Sequence, residues 1–182
     1  VVVVRVGEGF GAKDDGAKGM GLMPLKTFVR KGLKISVVGM TSKKSVTTLM
    51  AGRSAGFEVL EDEIALGIIA PTAHQAGADA LVLVTDNCLS AIAPLVEKHP
   101  EWKLSVVAGR ACDGEVGAKA GNTVLVYPGR HFNDYVAVKL TFGLDRKVKD
   151  VAAEAFEVVN DASAPPPEPT LQKLVESWKS KR

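Results

Sequence analysis

Residues 35–45 read Ile35-Ser36-Val37-Val38-Gly39-Met40-Thr41-Ser42-Lys43-Lys44-Ser45, an apolar strand, a turn of small residues and a helix start. Farther on, Phe57-Glu58-Val59-Leu60-Glu61 reads as a second strand that ends in an acid. Strand, crossover helix and strand within about thirty residues outline a βαβ unit, the building block of parallel sheets. The helix is expected over 42–54, between strands at 34–39 and 57–60.

Working outward, the same alternation continues. Gly77-Ala78-Asp79 reads as a turn, and Ala80 to Thr85 as a continuous apolar strand of the kind buried on both faces. A helix is expected over 88–99, ended by Pro100, with further strands at 103–107, 123–127 and 135–142 and a closing helix near 146–159. The segment Ile64 to Ala70 fits either strand or helix. This pattern predicts an α/β fold with an open, mostly parallel sheet in a Rossmann-like three-layer αβα arrangement. The expected organisation is a Gly-rich N-terminal arm over 1–32, the Rossmann-like domain over 33–162, and a linker plus helix over 163–182. Within the arm a short helical stretch, Leu25 to Lys31, is expected to stop at Gly32.

The C-terminal segment has its own logic. Ala164 to Pro169 holds four prolines and reads as a stiff spacer. In the helix expected over 171–181, capped by Thr170, Leu171, Leu174, Val175 and Trp178 share one face. That face either packs on the chain's own core or docks on another protein subunit; the arm is the second expected protein contact.

Bulk composition narrows the classes. The 182 residues are 46% apolar and 24% charged with a net charge of +2, which fits a globular domain and implies no strong nucleic-acid field. No apolar run approaches the ~20 residues that span a bilayer. Cys88 and Cys112 read as reduced thiols of a mitochondrial-matrix-side or cytoplasmic protein. The start Val1-Val2-Val3-Val4, without methionine, fits a processed or truncated chain. His74, His99 and His131 are too far apart to form a metal-ligand pattern, so no metal site is expected.

Four segments in order resemble the atypical, NmrA-like short-chain dehydrogenases, which bind NAD(P) on a Rossmann domain. The turn Gly39-Met40-Thr41-Ser42-Lys43-Lys44-Ser45 resembles their Gly-Ala-Thr-Gly-x-x-Gly, with serine in place of two glycines. The others are Gly56-Phe57-Glu58-Val59, the strand from Gln75 to Thr85, and Asn122 to Asp134 with its Pro128-Gly129 turn. The resemblance implies NAD or NADP as cofactor. Gly39, Thr41 and Ser42 would approach the pyrophosphate, Lys43 or Lys44 a cofactor phosphate, Glu61 the ribose, and Thr85, Asp86 and Asn87 the crevice wall. It also implies a Tyr-x-x-x-Lys pair on a helix before the sixth strand. No tyrosine lies there, and Tyr135 and Lys139 have the spacing only after that strand. With two glycines replaced and the active-site region short, the expectation is an accessory, non-catalytic subunit of a larger assembly, a mitochondrial one by resemblance, with residual nucleotide binding. The alternative is a small NAD(P)-dependent oxidoreductase or NAD(P)-sensing protein.

Overall fold

The computed structural model describes residues 4–5, 25–43, 58–110, 112, 118–127, 134–158, 166 and 168–180. Its centre is a six-stranded sheet. The strands are β2 (Leu25–Arg30), β3 (Leu33–Met40), β5 (Ala80–Cys88), β6 (Val106–Arg110), β7 (Lys119–Ala120) and β8 (Thr123–Val126). Their order is β2-β3-β5-β6-β8-β7. The pairs β3/β5, β5/β6 and β6/β8 are parallel, and the two edge strands are antiparallel to their neighbours. The α/β class and the open, mostly parallel sheet expected from the alternation are therefore present.

Leu25–Arg30 is an edge strand rather than a short helix. Lys31 and Gly32, at φ of 50° and 77°, form the two-residue turn that returns the chain into β3, and successive positive φ values are what a tight hairpin turn requires. Thr27, Phe28 and Val29 suit a pleated surface, and Thr27 Oγ1 meets Ser36 Oγ across the pair at 2.8 Å.

Helices α1 (Asp62–Gln75) and α2 (Leu89–Lys98) lie on one face of the sheet. They bury Leu66, Ile69, Ala73, Ile92 and Val96 against Val38, Leu81, Leu83, Val107 and Leu125. The segment that read as either strand or helix is thus part of α1. The alanines Ala65, Ala70 and Ala73, all but fully buried, let α1 sit close to the strands. After α2, Pro100–Trp102 makes a 3-10 turn that Lys103 closes in the left-handed conformation, φ 47°. That reversal explains why the next strand starts at Val106, three residues later than expected.

Two elements depart from the Rossmann outline. The segment expected as a second sheet strand is β4 (Glu58–Val59), which pairs antiparallel with β1 (Val4–Arg5) and not with β3. The place beside β3 belongs to β2. From β3 onward the parallel strands step in one direction, so the described sheet has no reversal of strand order of the kind that opens a dinucleotide crevice. The second departure is the expected closing helix. Residues 148–157 instead form β10 (Val148–Glu157), which runs antiparallel to β9 (Asp134–Phe142). Its alanines, glutamates and lysine favour a helix locally, but the cross-strand pairing and the burial of Val136, Leu140 and Val151 against Val106, Val124 and Val126 override that preference. This hairpin covers part of the sheet face opposite the helices.

The last helix, α3 (Pro169–Lys179), is capped by Glu168, whose carboxylate accepts the Leu171 N–H at 2.8 Å, rather than by Thr170. Leu171, Leu174, Val175 and Trp178 are all more than half exposed. Among the described residues no helix is long and apolar enough to cross a membrane.

Candidate active site at the carboxyl ends of the parallel strands

In an open parallel sheet, ligand chemistry gathers where the strands end and the crossovers begin. Here β3 ends into Thr41-Ser42-Lys43, β5 into Thr85-Asp86-Asn87-Cys88, and β6 at Gly109-Arg110, with Glu61 and Asp62 at the start of α1. Asp86 ties the first two together. Thr41 Oγ1 donates to its Oδ2 at 3.0 Å and the Ser42 backbone N–H to its Oδ1 at 2.6 Å. Thr85, nearly buried, accepts the Asn87 N–H at 3.1 Å. The Asn87 side-chain amide donates to Asp62 Oδ2 at 2.7 Å. Lys43 pairs with Glu61. Gly39 lies one residue inside the end of β3, in register with Val84.

The electrostatics are uneven. Burial raises the Asp62 carboxyl above its ordinary pKa. The Asn87 hydrogen bond works the other way, and the negative charges of Glu61 and Asp86 add to the rise. Gly109 sets the spacing of this end: a Cβ there would fall 2.8 Å from Leu89 Cδ2 and 3.0 Å from the Asn87 carbonyl oxygen. Only glycine lets β6 pass this close to the end of β5 and the first turn of α2.

Cys88 and Cys112 are joined in a disulfide, Cα to Cα 5.4 Å, which corrects the expectation of two reduced thiols. The spacing of the pair gave no sign of it, because contact depends on β5 and β6 being neighbours.

The residues proposed from sequence around the turn, Thr41, Ser42, Lys43, Glu61, Thr85 and Asp86, thus meet at one end of the sheet. Asn87, expected to line the crevice with Thr85 and Asp86, is there too, and Asp62 and Arg110, which the glycine-turn reading did not single out, lie at the same end. Tyr135 and Lys139 lie elsewhere. They are exposed on the hairpin strand β9, where Tyr135 stacks on Phe156 of β10 at 5.1 Å between ring centroids. His131 lies outside the described residues.

No protein-family model matches the sequence, and no curated protein matches it. Solved structures do match the fold. The sulfate thiohydrolase SoxB of Thermus thermophilus superposes with a TM-score of 0.76 at 15% identity, over 88% of this chain and 29% of that one. A putative 5'-nucleotidase from Staphylococcus aureus gives 0.64 at 15% identity, over 85% and 34%. The calcineurin-like phosphoesterase YfkN of Bacillus subtilis gives 0.65 at 12% identity, over 86% and 55%. The chain spans about a third of the length of the first two. At these identities the likeness is one of fold.

These findings overturn the resemblance to NmrA-like dehydrogenases, and with it both the accessory Rossmann-like NAD(P) subunit and the alternative NAD(P) oxidoreductase or sensor. The geometry supplies the physical reason. The Ser42 N–H, which would have cradled a pyrophosphate, is spent on the Asp86 carboxylate, an anion where an anion would have to bind. Glu61 is engaged by Lys43 instead of facing a ribose. Without a dinucleotide there is no hydride for Tyr135 and Lys139 to serve.

Phosphate-ester hydrolases commonly work through paired metal ions, and the described residues do not offer the donor set that such a pair needs. His74 Nε2 donates to the Trp102 carbonyl oxygen at 2.9 Å, and both ring nitrogens of His99 face carboxylates at 2.7 Å, so of these two histidines only His74 Nδ1 keeps a lone pair to offer, far from the strand ends. Both thiols are in the disulfide, and each Asp86 oxygen accepts a protein hydrogen bond. Among the described residues no group of three or more His, Cys, Asp or Glu could hold a metal ion.

Proposed function

We propose that the chain belongs to a hydrolase-type domain acting on an ester of an oxyanion, a phosphate or a sulfate, at the carboxyl ends of β3, β5 and β6. The observation that carries this reading is the Asp62–Asn87 pair: a half-buried acid of raised basicity, oriented by an amide, on a fold shared with a sulfate thiohydrolase, a putative 5'-nucleotidase and a calcineurin-like phosphoesterase.

The chemistry follows from the residues. A carboxylate whose proton affinity is raised by burial is a better base than a solvated one. Asp62 is therefore suited to take the proton of an attacking water. Asn87 holds it in place with one amide hydrogen and has a second to give to an oxyanion oxygen. Arg110 leaves β6 beside Cys88 and is exposed, so its planar fork can pair with a phosphate or sulfate at the mouth of the site. Asp86 fixes the β3 turn by its bonds to Thr41 and Ser42 and keeps the two strand ends in register.

The test has two stages on the 182-residue chain. Titration with inorganic phosphate, then sulfate, should move the NMR signals of the Asn87 side-chain amide and of the backbone around residues 85–88, and Arg110→Ala should weaken the effect. Release of nitrophenol from nitrophenyl phosphate or sulfate should follow, and should be lost in Asp62→Asn. Anions that leave the Asn87 signals unmoved, or turnover that survives Asp62→Asn, would sink the reading.

A further inference from the structure

The disulfide has features that a purely structural cross-link does not need. Its two cysteines are unequally exposed. Cys112 is exposed, whereas Cys88 is half-buried and is the N-cap residue of α2. The first turn of α2 carries no acidic side chain, so its positive end is not cancelled locally, and Arg110 is the register partner of Cys88 on β6. Both favour a thiolate at Cys88. The opposing charges are Asp86 and Asp62, already engaged by Thr41, Ser42 and Asn87. The bond thus offers a reachable sulfur at Cys112 and a good leaving group at Cys88.

We infer that Cys88–Cys112 is a thiol–disulfide exchange site, open to a small thiol of the glutathione class, with Cys112 as the attacked sulfur and Cys88 as the leaving thiolate. The incoming thiolate bonds to Cys112 Sγ while the Cys112–Cys88 bond breaks, and Cys88 departs with the electron pair and takes a proton. A second thiol attacks the incoming sulfur, forms the small-molecule disulfide and releases Cys112 as a thiol. Two thiols are oxidised and one protein disulfide is reduced, so no further oxidant or reductant is required. The inference stands apart from the hydrolase reading, since thiol counts do not depend on turnover.

The experiment is thiol accounting by mass spectrometry on the folded 182-residue chain, with maleimide as label. Air-oxidised protein should take up no label, and protein equilibrated with millimolar reduced glutathione should take up two per chain without denaturant. Cys88→Ser, treated with oxidised glutathione, should accumulate an adduct at Cys112. Cys112→Ser should form its adduct at Cys88 at least about tenfold more slowly, because the half-buried sulfur is harder to reach. Two labels on air-oxidised protein would overturn the proposal, as would labelling after glutathione only once the chain is unfolded. Equal adduct rates in the two variants would overturn the assigned direction. The wild-type count holds even if one variant fails to fold.

Discussion

The two ends of the parallel sheet use polar residues in opposite ways. At the carboxyl end, side chains from β3, β5 and α1 bond mainly to one another, and one of them, Asp62, is held away from its ordinary acidity. At the amino end the polar groups are fasteners. Arg146, in the tight turn of the β9–β10 hairpin, grips Asp79 through Nε at 3.0 Å and Nη2 at 2.7 Å and also reaches the Gly32 carbonyl. The Lys34 N–H donates to the same aspartate at 2.7 Å. One carboxylate therefore pins the hairpin, the β2–β3 turn and the start of β5. A cavity of about 590 Å³, lined by His74, His99, Lys103, Asn122 and Arg146, lies at this amino end. Size alone would place the site there. The chemistry argues for the other end, because at the amino end Asp79, Arg146, His74 and His99 are engaged in ion pairs and backbone bonds, whereas Asp62 is an acid of raised basicity.

Substitutions can break this contrast. Asp62→Asn keeps the size and much of the hydrogen bonding of the carboxyl end while removing its base. Hydrolysis should fall by about 10²–10⁴-fold with little change in thermal midpoint. The remaining rate should also lose its acid limb. In the wild type that limb should be displaced upward from the ordinary aspartate value, with activity rising as Asp62 deprotonates. Trp102→Ala at the amino end should do the reverse. Trp102 is 3% exposed, so its loss should cost about 3–5 kcal/mol in urea unfolding while turnover per folded molecule stays the same. If the two variants behave alike, the division between a chemical and a structural end fails.

Gly109→Ala sharpens the comparison because it strains packing at the chemical end. The added methyl meets the Asn87 carbonyl and Leu89, so a loss of about 1–3 kcal/mol is expected. Turnover should fall with it, since Asn87 orients Asp62. A stability loss without a change in turnover would show that the strand end relaxes independently of the site.

How much of this was legible in the sequence depends on the range of the forces involved. β3, β5 and α2 follow from local apolar runs and breakers, and they appear nearly where the pattern puts them. The misread segments were decided by distant partners. Leu25–Arg30 is a strand because β3 hydrogen-bonds to it, and Val148–Glu157 is a strand because β9 and the valines of β6 and β8 outweigh its helix-forming alanines. The strand–turn–helix signal put Thr41, Ser42, Thr85 and Asp86 together, as they are at one end of the sheet, but implied a ligand that the fold comparisons overturn. That error has a physical source. A turn of small residues records close backbone approach without recording what approaches, and here it is the Asp86 carboxylate, 44 residues beyond Ser42.

The amino-end fasteners make a pH prediction of smaller size. The Asp79 carboxyl is held down to about 2, first by the Arg146 hydrogen bond and then by the Lys34 N–H. A folded-state pKa below the unfolded one means stability that is present above about pH 4 and is lost as pH falls toward 2. Arg146→Ala should therefore be less stable than the wild type near neutrality, and the gap in thermal midpoint should close on acidification. A gap that does not change with pH would mean that Arg146 works through packing alone.

The smallest effect should come from His99. Its Nδ1 lies 2.7 Å from a Glu101 oxygen and its Nε2 2.7 Å from a Glu63 oxygen, while the ring stacks on Trp102 at 4.3 Å. A neutral imidazole has one N–H and cannot satisfy two carboxylates, so this arrangement selects the imidazolium. The hydrogen bonds to Glu101 and Glu63 raise its pKa accordingly. The sign is opposite to that of Asp79: the contribution is complete below about pH 6.5 and is lost as pH rises through the raised value. Replacing His99 by Gln should lower the thermal midpoint more at about pH 6 than at about pH 9. The acid and alkaline arms would then be set by two different clusters at one end of the sheet, while Asp62 titrates at the other and is read through turnover. An equal loss at both pH values would assign His99 to the Trp102 stack and remove its charge from the account.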